Sequence, residues 1–102
     1  MYARVTTYQC DPSKLEEMAA QMEAVKSAVE SIDGIVSTYT VWRADGQGVT
    51  MSIYSSEAAA DAATEQVKSV WTDMANFITD VPQIEAYQHV AHIKGKRIVP
   101  LI

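Results

Sequence analysis

The sequence predicts a single α+β domain in which a four-stranded antiparallel sheet carries two helices on one face. Three observations favour this class. Residues 35–56 have the pattern of a β-hairpin, helical spacing of apolar residues lies on either side of that hairpin, and β-rich runs lie near both ends. Together these give the order β-α-β-β-α-β, which is the split-βαβ or ferredoxin-like arrangement.

Composition is that of an ordinary globular domain and excludes several classes of function. Of 102 residues, 48% are hydrophobic and 21% are charged, which is enough for one modest core. The net charge of −5 repels phosphate backbones, so no nucleic-acid partner is expected. No apolar run approaches the roughly 20 residues of a membrane span, so no membrane partner is expected either. A lone cysteine, Cys10, excludes an internal disulfide and a cysteine-based zinc site, and it favours a reducing, cytoplasmic location.

The first strand and the first helix follow from the N-terminal third of the chain. Residues 2–9 are rich in β-branched and aromatic types, which is typical of a strand. Asp11 or Ser13 is expected to cap the helix, Ser13 through a capping box with Glu16. Over residues 14–31 the apolar positions recur at steps of three and four, which predicts an amphipathic helix.

The hairpin is indicated by Asp45-Gly46 between two β-rich runs, because Gly46 can take the positive φ that such a turn needs. Alternation on the first arm predicts one face with Ile35, Tyr39 and Val41 and another with Val36 and Trp42. Neither face is plainly polar. Both faces of the sheet are therefore expected to be covered.

A second helix is expected after the hairpin, capped by Ser55 or Ser56. Its first half, residues 58–63, has only small side chains, and its second half supplies bulky ones up to Ile78. Small side chains let a helix approach the sheet closely, or they leave room for a ligand.

The last strand is predicted at residues 83–93, which completes a domain over residues 1–93 and leaves residues 94–102 as a basic and apolar tail. The helices cover one face of the sheet, and the other face still carries large apolar side chains. A soluble monomer rarely exposes such a patch above a few hundred Å². We therefore expect a homodimer through the open sheet face, with two-fold symmetry. The alternative is a monomer whose tail folds over that face.

A family resemblance is carried by the stretches VTTYQCDPSKLEEM, IDGIVSTYTVWRADGQGVTMSIYSSEAAADAA and EAYQHVAHI. They resemble the antibiotic-biosynthesis-monooxygenase-like (ABM-like) proteins of the dimeric α/β-barrel superfamily, over about residues 2–93. The resemblance implies two copies paired as a dimeric α/β barrel, with a ligand site between helices and sheet in each. Its characterised members include cofactor-free oxygenases acting on polycyclic phenols or quinols, and haem-degrading enzymes.

Haem degradation is disfavoured by the residues at the relevant positions. The haem-degrading branch has an Asn on the first strand and a Trp and a His on the second helix. Here the first strand offers Thr6 and Thr7, and the second helix has Trp71 but no His. No phosphate loop, flavin or nicotinamide signature is present, so no cofactor is predicted.

The predicted site residues are His89 as a catalytic base and Tyr39, Trp42 and Trp71 as substrate-binding aromatics. His89 and His92 are three residues apart, which places them on opposite faces of a strand, so no metal site is expected. Each residue has a structural alternative. His89 also suits a strand edge or an interface, and Trp71 suits the core.

The function expected from the sequence is a cofactor-independent monooxygenase acting on an aromatic, phenol- or quinol-like small molecule. The protein would position and desolvate a substrate that supplies its own electrons to O₂. One alternative is a non-catalytic binding or stress-related module of the same fold. Another is a purely structural homodimer.

Overall fold

A computed structural model describes residues 1–96 of the chain, so the predicted tail lies outside the described residues from position 97 onward. The elements in chain order are β1 (Tyr2–Gln9), a 3-10 turn (Pro12–Lys14), α1 (Leu15–Glu30), β2 (Ile35–Trp42), β3 (Gln47–Tyr54), α2 (Glu57–Ala62), α3 (Thr64–Asp73) and β4 (Gln83–Tyr87). Over residues 1–96, no helix has both the length and the apolar character needed to cross a membrane.

The four strands form one antiparallel sheet in the order β2-β3-β1-β4. The helices pack on the face that carries Tyr2 and Tyr8, since these side chains join the two core clusters with residues of α1 and α2. The opposite face is called the open face below. The predicted α+β, ferredoxin-like fold with its four-stranded sheet and helices is confirmed.

The small-residue segment 58–63 packs flush against the sheet rather than leaving a cavity. Ala60 and Ala63 are buried against Tyr2 and Tyr54. The helix α2 also lies so close to Gly34 that a Cβ added at Gly34 would be 2.7 Å from the Ala59 Cβ. Of the two uses predicted for these alanines, close packing is the one that the structure shows.

The caps and turns agree with the sequence in most details. Ser56 Oγ accepts a hydrogen bond from the Ala59 amide at 3.1 Å. Asp11, one of the two candidates at the first helix, accepts from the Ser13 amide at 2.9 Å and begins the 3-10 turn that leads into α1. Gly34 and Gly46 have φ of 81° and 90°, as the cap and the hairpin turn require.

A β-bulge at the start of β2 changes the face of one predicted residue. Ile35 pairs with Tyr54 and Ser37 pairs with Ile53, so β2 carries one extra residue there. Ile35 therefore faces the helices, whereas Tyr39 and Val41 point to the open face. The prediction that these three share a face was wrong, because the bulge interrupts the alternation.

The second helix is divided and shorter than predicted. It changes from α2 to α3 at Ala63 and ends at Asp73. Residues 77–79 instead run beside the end of β1, where the Asp11 amide donates to the Phe77 carbonyl at 2.8 Å. These backbone hydrogen bonds hold residues 77–79 outside a helix, although the apolar side chains there have helical spacing.

The last strand is also shorter than predicted, ending at Tyr87 instead of residue 93. Tyr87 pairs with Ala3, and β1 begins at Tyr2. Since β4 runs antiparallel to β1, the residues after Tyr87 pass the end of their partner strand and lose their hydrogen-bonding partners.

Candidate functional site

The helices and the sheet enclose an apolar cavity of about 80 Å³. Its roof consists of side chains from α1 and α3, among them Val25, Val29 and Val70. Its floor is the helix-covered face of the sheet and carries five hydroxyl groups, from Tyr8, Thr38, Thr40, Thr50 and Ser52. Within the part of the chain that the structure describes, no charged side chain lines this cavity.

The cavity exists because short side chains face one another across the two layers. The roof is largely valine and the floor is largely threonine and serine, so neither layer fills the space between them. Met18 is the one buried residue of α1, and no residue of α3 is buried. Close packing at α2 holds the helices against the sheet at one end. Next to α2, the helices α1 and α3 lie further from the sheet.

Tyr8 is the largest polar side chain on the cavity floor. Alternation along β1 directs it toward the helices, and only 6% of its surface is exposed. Its partner across the sheet is Gly48, and a Cβ at that position would collide with the Tyr8 ring. The Tyr8 ring lies 5.5 Å from the Trp71 ring, with the two planes tilted by 58°.

Hydrogen bonds link Tyr8 of β1 to Thr40 of β2, and Thr40 in turn to Thr50 of β3. The Tyr8 hydroxyl is 2.9 Å from Thr40 Oγ1, and the Thr50 hydroxyl donates to the same Thr40 oxygen at 3.0 Å. Burial raises the pKa of Tyr8 above its ordinary value, although the hydrogen bond with Thr40 partly opposes the effect. Tyr8 therefore keeps its proton at neutral pH. We call Tyr8, Thr40 and Thr50 the hydroxyl relay.

An open groove adjoins the cavity between α1 and the edge strand β2. It has a volume of about 660 Å³ and shares Met22, Val25 and Val29 with the cavity lining. Trp42 and Tyr39 lie along its outer wall. The groove therefore places two aromatic side chains beside the cavity.

The four predicted site residues fall into two groups. Trp71 lines the cavity, Trp42 lies in the groove on the same side of the sheet, and Tyr39 stands at the edge, where it also borders the open face. His89 lies after β4 and lines a groove on the open face, across the sheet from Trp71. The structure does not bring His89 and Trp71 together, and a catalytic role for His89 stays a prediction.

The hydroxyl relay was not among the residues predicted from the sequence. The signal that could have found it is the alternation of Tyr2, Thr6 and Tyr8 along β1, with a glycine opposite Tyr8. That alternation gives the face of Tyr8, but the pairing with Gly48 depends on the strand register, which a single sequence does not supply.

Two arginines of the sheet and the hairpin, Arg4 and Arg43, form ion pairs outside the cavity. Arg4 forms an ion pair with Asp61 at 2.7 Å and donates to the Ala60 carbonyl at 3.2 Å, which ties β1 to α2. Arg43 pairs with Asp45 inside the hairpin turn at 3.0 Å. Among residues 1–96, no group of three or more His, Cys, Asp or Glu side chains is placed to hold a metal ion.

Comparison with known proteins identifies the fold. No family model and no curated protein sequence matches the chain. A protein of unknown function from Nitrosomonas europaea is 12% identical, with a TM-score of 0.76 over 92% of this chain and 93% of that one. A protein described as a putative antibiotic biosynthesis monooxygenase from Caulobacter crescentus is 19% identical, with a TM-score of 0.73 over 88% of this chain and 90% of that one.

A second protein with that description, from Nitrosomonas europaea, is 14% identical, with a TM-score of 0.71 over 89% of this chain and 100% of that one. At such identities the likeness shows the fold alone. The chain therefore has the fold of solved proteins that carry the ABM name, and the resemblance predicted from the sequence is confirmed at the level of the fold.

Proposed function

We propose that this chain is an ABM-like protein that binds a small phenol- or quinol-like aromatic molecule between its helices and its sheet, and that it promotes oxygenation of that molecule without a cofactor. The observation that carries the proposal is the uncharged, mostly apolar cavity, which has an aromatic wall at Trp71 and hydroxyl-bearing side chains among the residues of its floor. Concave, mostly apolar sites with a few convergent polar groups are typical of small-molecule binding.

The size of the cavity favours one aromatic ring inside, with any further ring in the groove. An engineered apolar cavity of roughly 150 Å³ in another protein binds benzene, so the 80 Å³ cavity must widen somewhat to take a ring. Widening is inexpensive here because Val25, Val29 and Val70 in the roof are only half-buried. Trp42 and Tyr39 in the groove then contact the outer part of the ligand.

The oxygenation needs no electron donor beyond the substrate. A phenol with a free para carbon reacts with O₂ to give the para-quinone and water: one oxygen atom enters the ring, and the other leaves as water with two hydrogens from the phenol. The phenol supplies all four electrons. The protein would hold the ring, exclude water and donate a hydrogen bond to the substrate oxygen as charge develops there.

A test substrate that fits this scheme is 1-naphthol, which would yield 1,4-naphthoquinone. We expect binding, measured by calorimetry, to weaken about tenfold in Trp71→Ala because the aromatic wall is lost. Oxygen uptake and quinone absorbance would measure turnover in the same samples. Binding by the intact protein without turnover above the background rate would remove the oxygenase part of the proposal, and absence of binding would remove all of it.

His89→Ala separates the two faces of the sheet in the same experiment. With the cavity as the site, this variant is expected to bind 1-naphthol normally, because His89 lies across the sheet. A loss of turnover with normal binding would support the catalytic role predicted from the sequence.

A second candidate, a non-catalytic binding module of the same fold, is favoured by one observation. Across the described chain, the side chains lining the cavity include no Asp, Glu, His or Lys that could act as a base near neutral pH. The 1-naphthol experiment distinguishes the candidates, since a binding module binds the phenol and leaves its oxidation at the background rate.

The proposal also includes a homodimer that pairs two open faces as a dimeric α/β barrel. Large apolar side chains on that face are solvent-exposed in the single chain: Tyr39, Val41, Met51 and Tyr87. Residues 89–93 line a groove beside Val5 and Met51 without covering these side chains. A second copy of the chain is the simplest cover, because the same patch serves both partners.

A further inference from the structure

The hydroxyl relay has one more proton than its internal hydrogen bonds use. Tyr8, Thr40 and Thr50 carry one O–H each, and two hydrogen bonds connect the three oxygens. Beyond these two bonds, the described residues provide no hydrogen-bond partner for any of the three hydroxyls. One O–H therefore remains to donate to a molecule in the cavity.

The hydrogen bond between Tyr8 and Thr40 can run in either direction, since either oxygen can be the donor. Thr50 donates to Thr40, so Thr40 oxygen already accepts one hydrogen bond, which makes its own O–H a better donor. When Thr40 donates to the Tyr8 oxygen, 2.9 Å away, the unused O–H is the one on Tyr8, and a hydrogen-bond acceptor placed beside Tyr8 favours this arrangement. Tyr8 lines the cavity beside Trp71 and is 6% exposed, so in this arrangement its O–H can donate to a molecule in the cavity.

We infer that Tyr8 is the specificity-determining residue of the cavity and donates its O–H to an oxygen acceptor on a neutral aromatic ligand, such as a ketone, a quinone or a phenol. This inference rests on the proposed function, because it names the ligand class of the same site. A hydrocarbon leaves the unused O–H of the relay without an acceptor, which costs binding free energy. A carboxylate fills the hydrogen bond, but among the described residues no charged side chain lines the cavity to balance its charge.

Three single-ring ligands of similar size separate these cases: ethylbenzene has no polar group, acetophenone has a neutral oxygen acceptor, and benzoate has a charged one. NMR titration of the full chain follows the indole N–H of Trp71, one of two tryptophans in the sequence. We expect acetophenone to bind roughly three- to tenfold more tightly than ethylbenzene, the effect of one hydrogen bond. Benzoate is expected to bind more weakly than both.

Tyr8→Phe keeps the ring and removes the hydrogen-bond donor. Acetophenone should then bind no more tightly than ethylbenzene, and ethylbenzene should bind as before. Thr50→Val should reduce the preference for acetophenone less than Tyr8→Phe does, because it removes only the hydrogen bond that polarises the relay. Tyr87→Phe is the matched control, since its hydroxyl donates to Glu85 at 3.0 Å on the open face. Thermal unfolding of each variant verifies that it is folded.

The possible outcomes separate this inference from the proposed function. If ethylbenzene and acetophenone bind equally to the intact chain, or if Tyr8→Phe keeps the preference, the assignment of Tyr8 is wrong and the cavity remains an aromatic site. If none of the three ligands binds, the proposed function and the assignment of Tyr8 both fail.

Discussion

Gly48 gives the Tyr8 ring its place at the cavity floor. The two residues are partners across β1 and β3, and a Cβ at Gly48 would collide with Tyr8 Cζ. The backbone of Gly48 has no positive φ, so an L-residue is allowed there by conformation. The glycine is needed for space rather than for a turn.

Gly48→Ala is therefore expected to displace the Tyr8 ring and to lower the free energy of unfolding by about 1–3 kcal/mol, the usual cost of overpacking. Chemical denaturation of Gly48→Ala, Tyr8→Ala and the double variant measures this cost. In the Tyr8→Ala background the collision is absent, so the alanine at position 48 should cost much less. An equal cost in both backgrounds would show that the ring is not what requires the glycine.

At the scale of elements, the helix layer has a tight end and a loose end. α2 presents alanines to Tyr2 and Tyr54 and packs flush, whereas α1 and α3 present half-buried valines to a floor of threonines. The small-residue stretch of the sequence is compatible with close packing on the sheet and with a space left for a ligand. Which use applies depends on what faces it: two tyrosines fill the space under α2, and short hydroxyl side chains leave it open under α3.

The tight end is tested by a pair of leucine substitutions on α2. Ala60 is fully buried, so Ala60→Leu is expected to lower the free energy of unfolding by roughly 1–3 kcal/mol through overpacking. Ala62 is exposed on the same helix, so Ala62→Leu should change it by less than about 0.5 kcal/mol. Thermal and denaturant unfolding give both values. Similar costs for the two variants would mean that α2 does not pack flush on the sheet.

Strand alternation predicted most of the fold but only part of the site. Thr50, Ser52 and Tyr54 share a face in the sequence pattern and in the structure. The bulge after Ile35 and the helix break at Ala63 come from tertiary contacts that a single sequence does not show. His89 was predicted beyond the real end of β4, where alternation no longer applies, and the role of Tyr8 depends on its partner across the sheet.

At the scale of the whole molecule, the two faces of the sheet have different chemistry. The helix-covered face places hydroxyl-bearing side chains beside a partly enclosed apolar space, and the open face exposes large apolar side chains. Apart from Tyr39, which borders both the groove and the open face, ligand binding and self-association therefore draw on different residues. A substitution on the open face can test the homodimer without entering the cavity.

Met51 lies on β3 toward the middle of the open face and is 38% exposed in the single chain. If two open faces pack together, Met51→Lys buries an unpaired charge at the interface, and the dimer should dissociate to single chains. Light scattering after size exclusion measures the mass of each species. The matched control is Val81→Lys, because Val81 is 80% exposed in the segment before β4 and lies outside the sheet. The wild-type chain and Val81→Lys should both have the mass of two chains. A wild-type chain that stays monomeric at high concentration would instead favour the monomer whose tail folds over the open face.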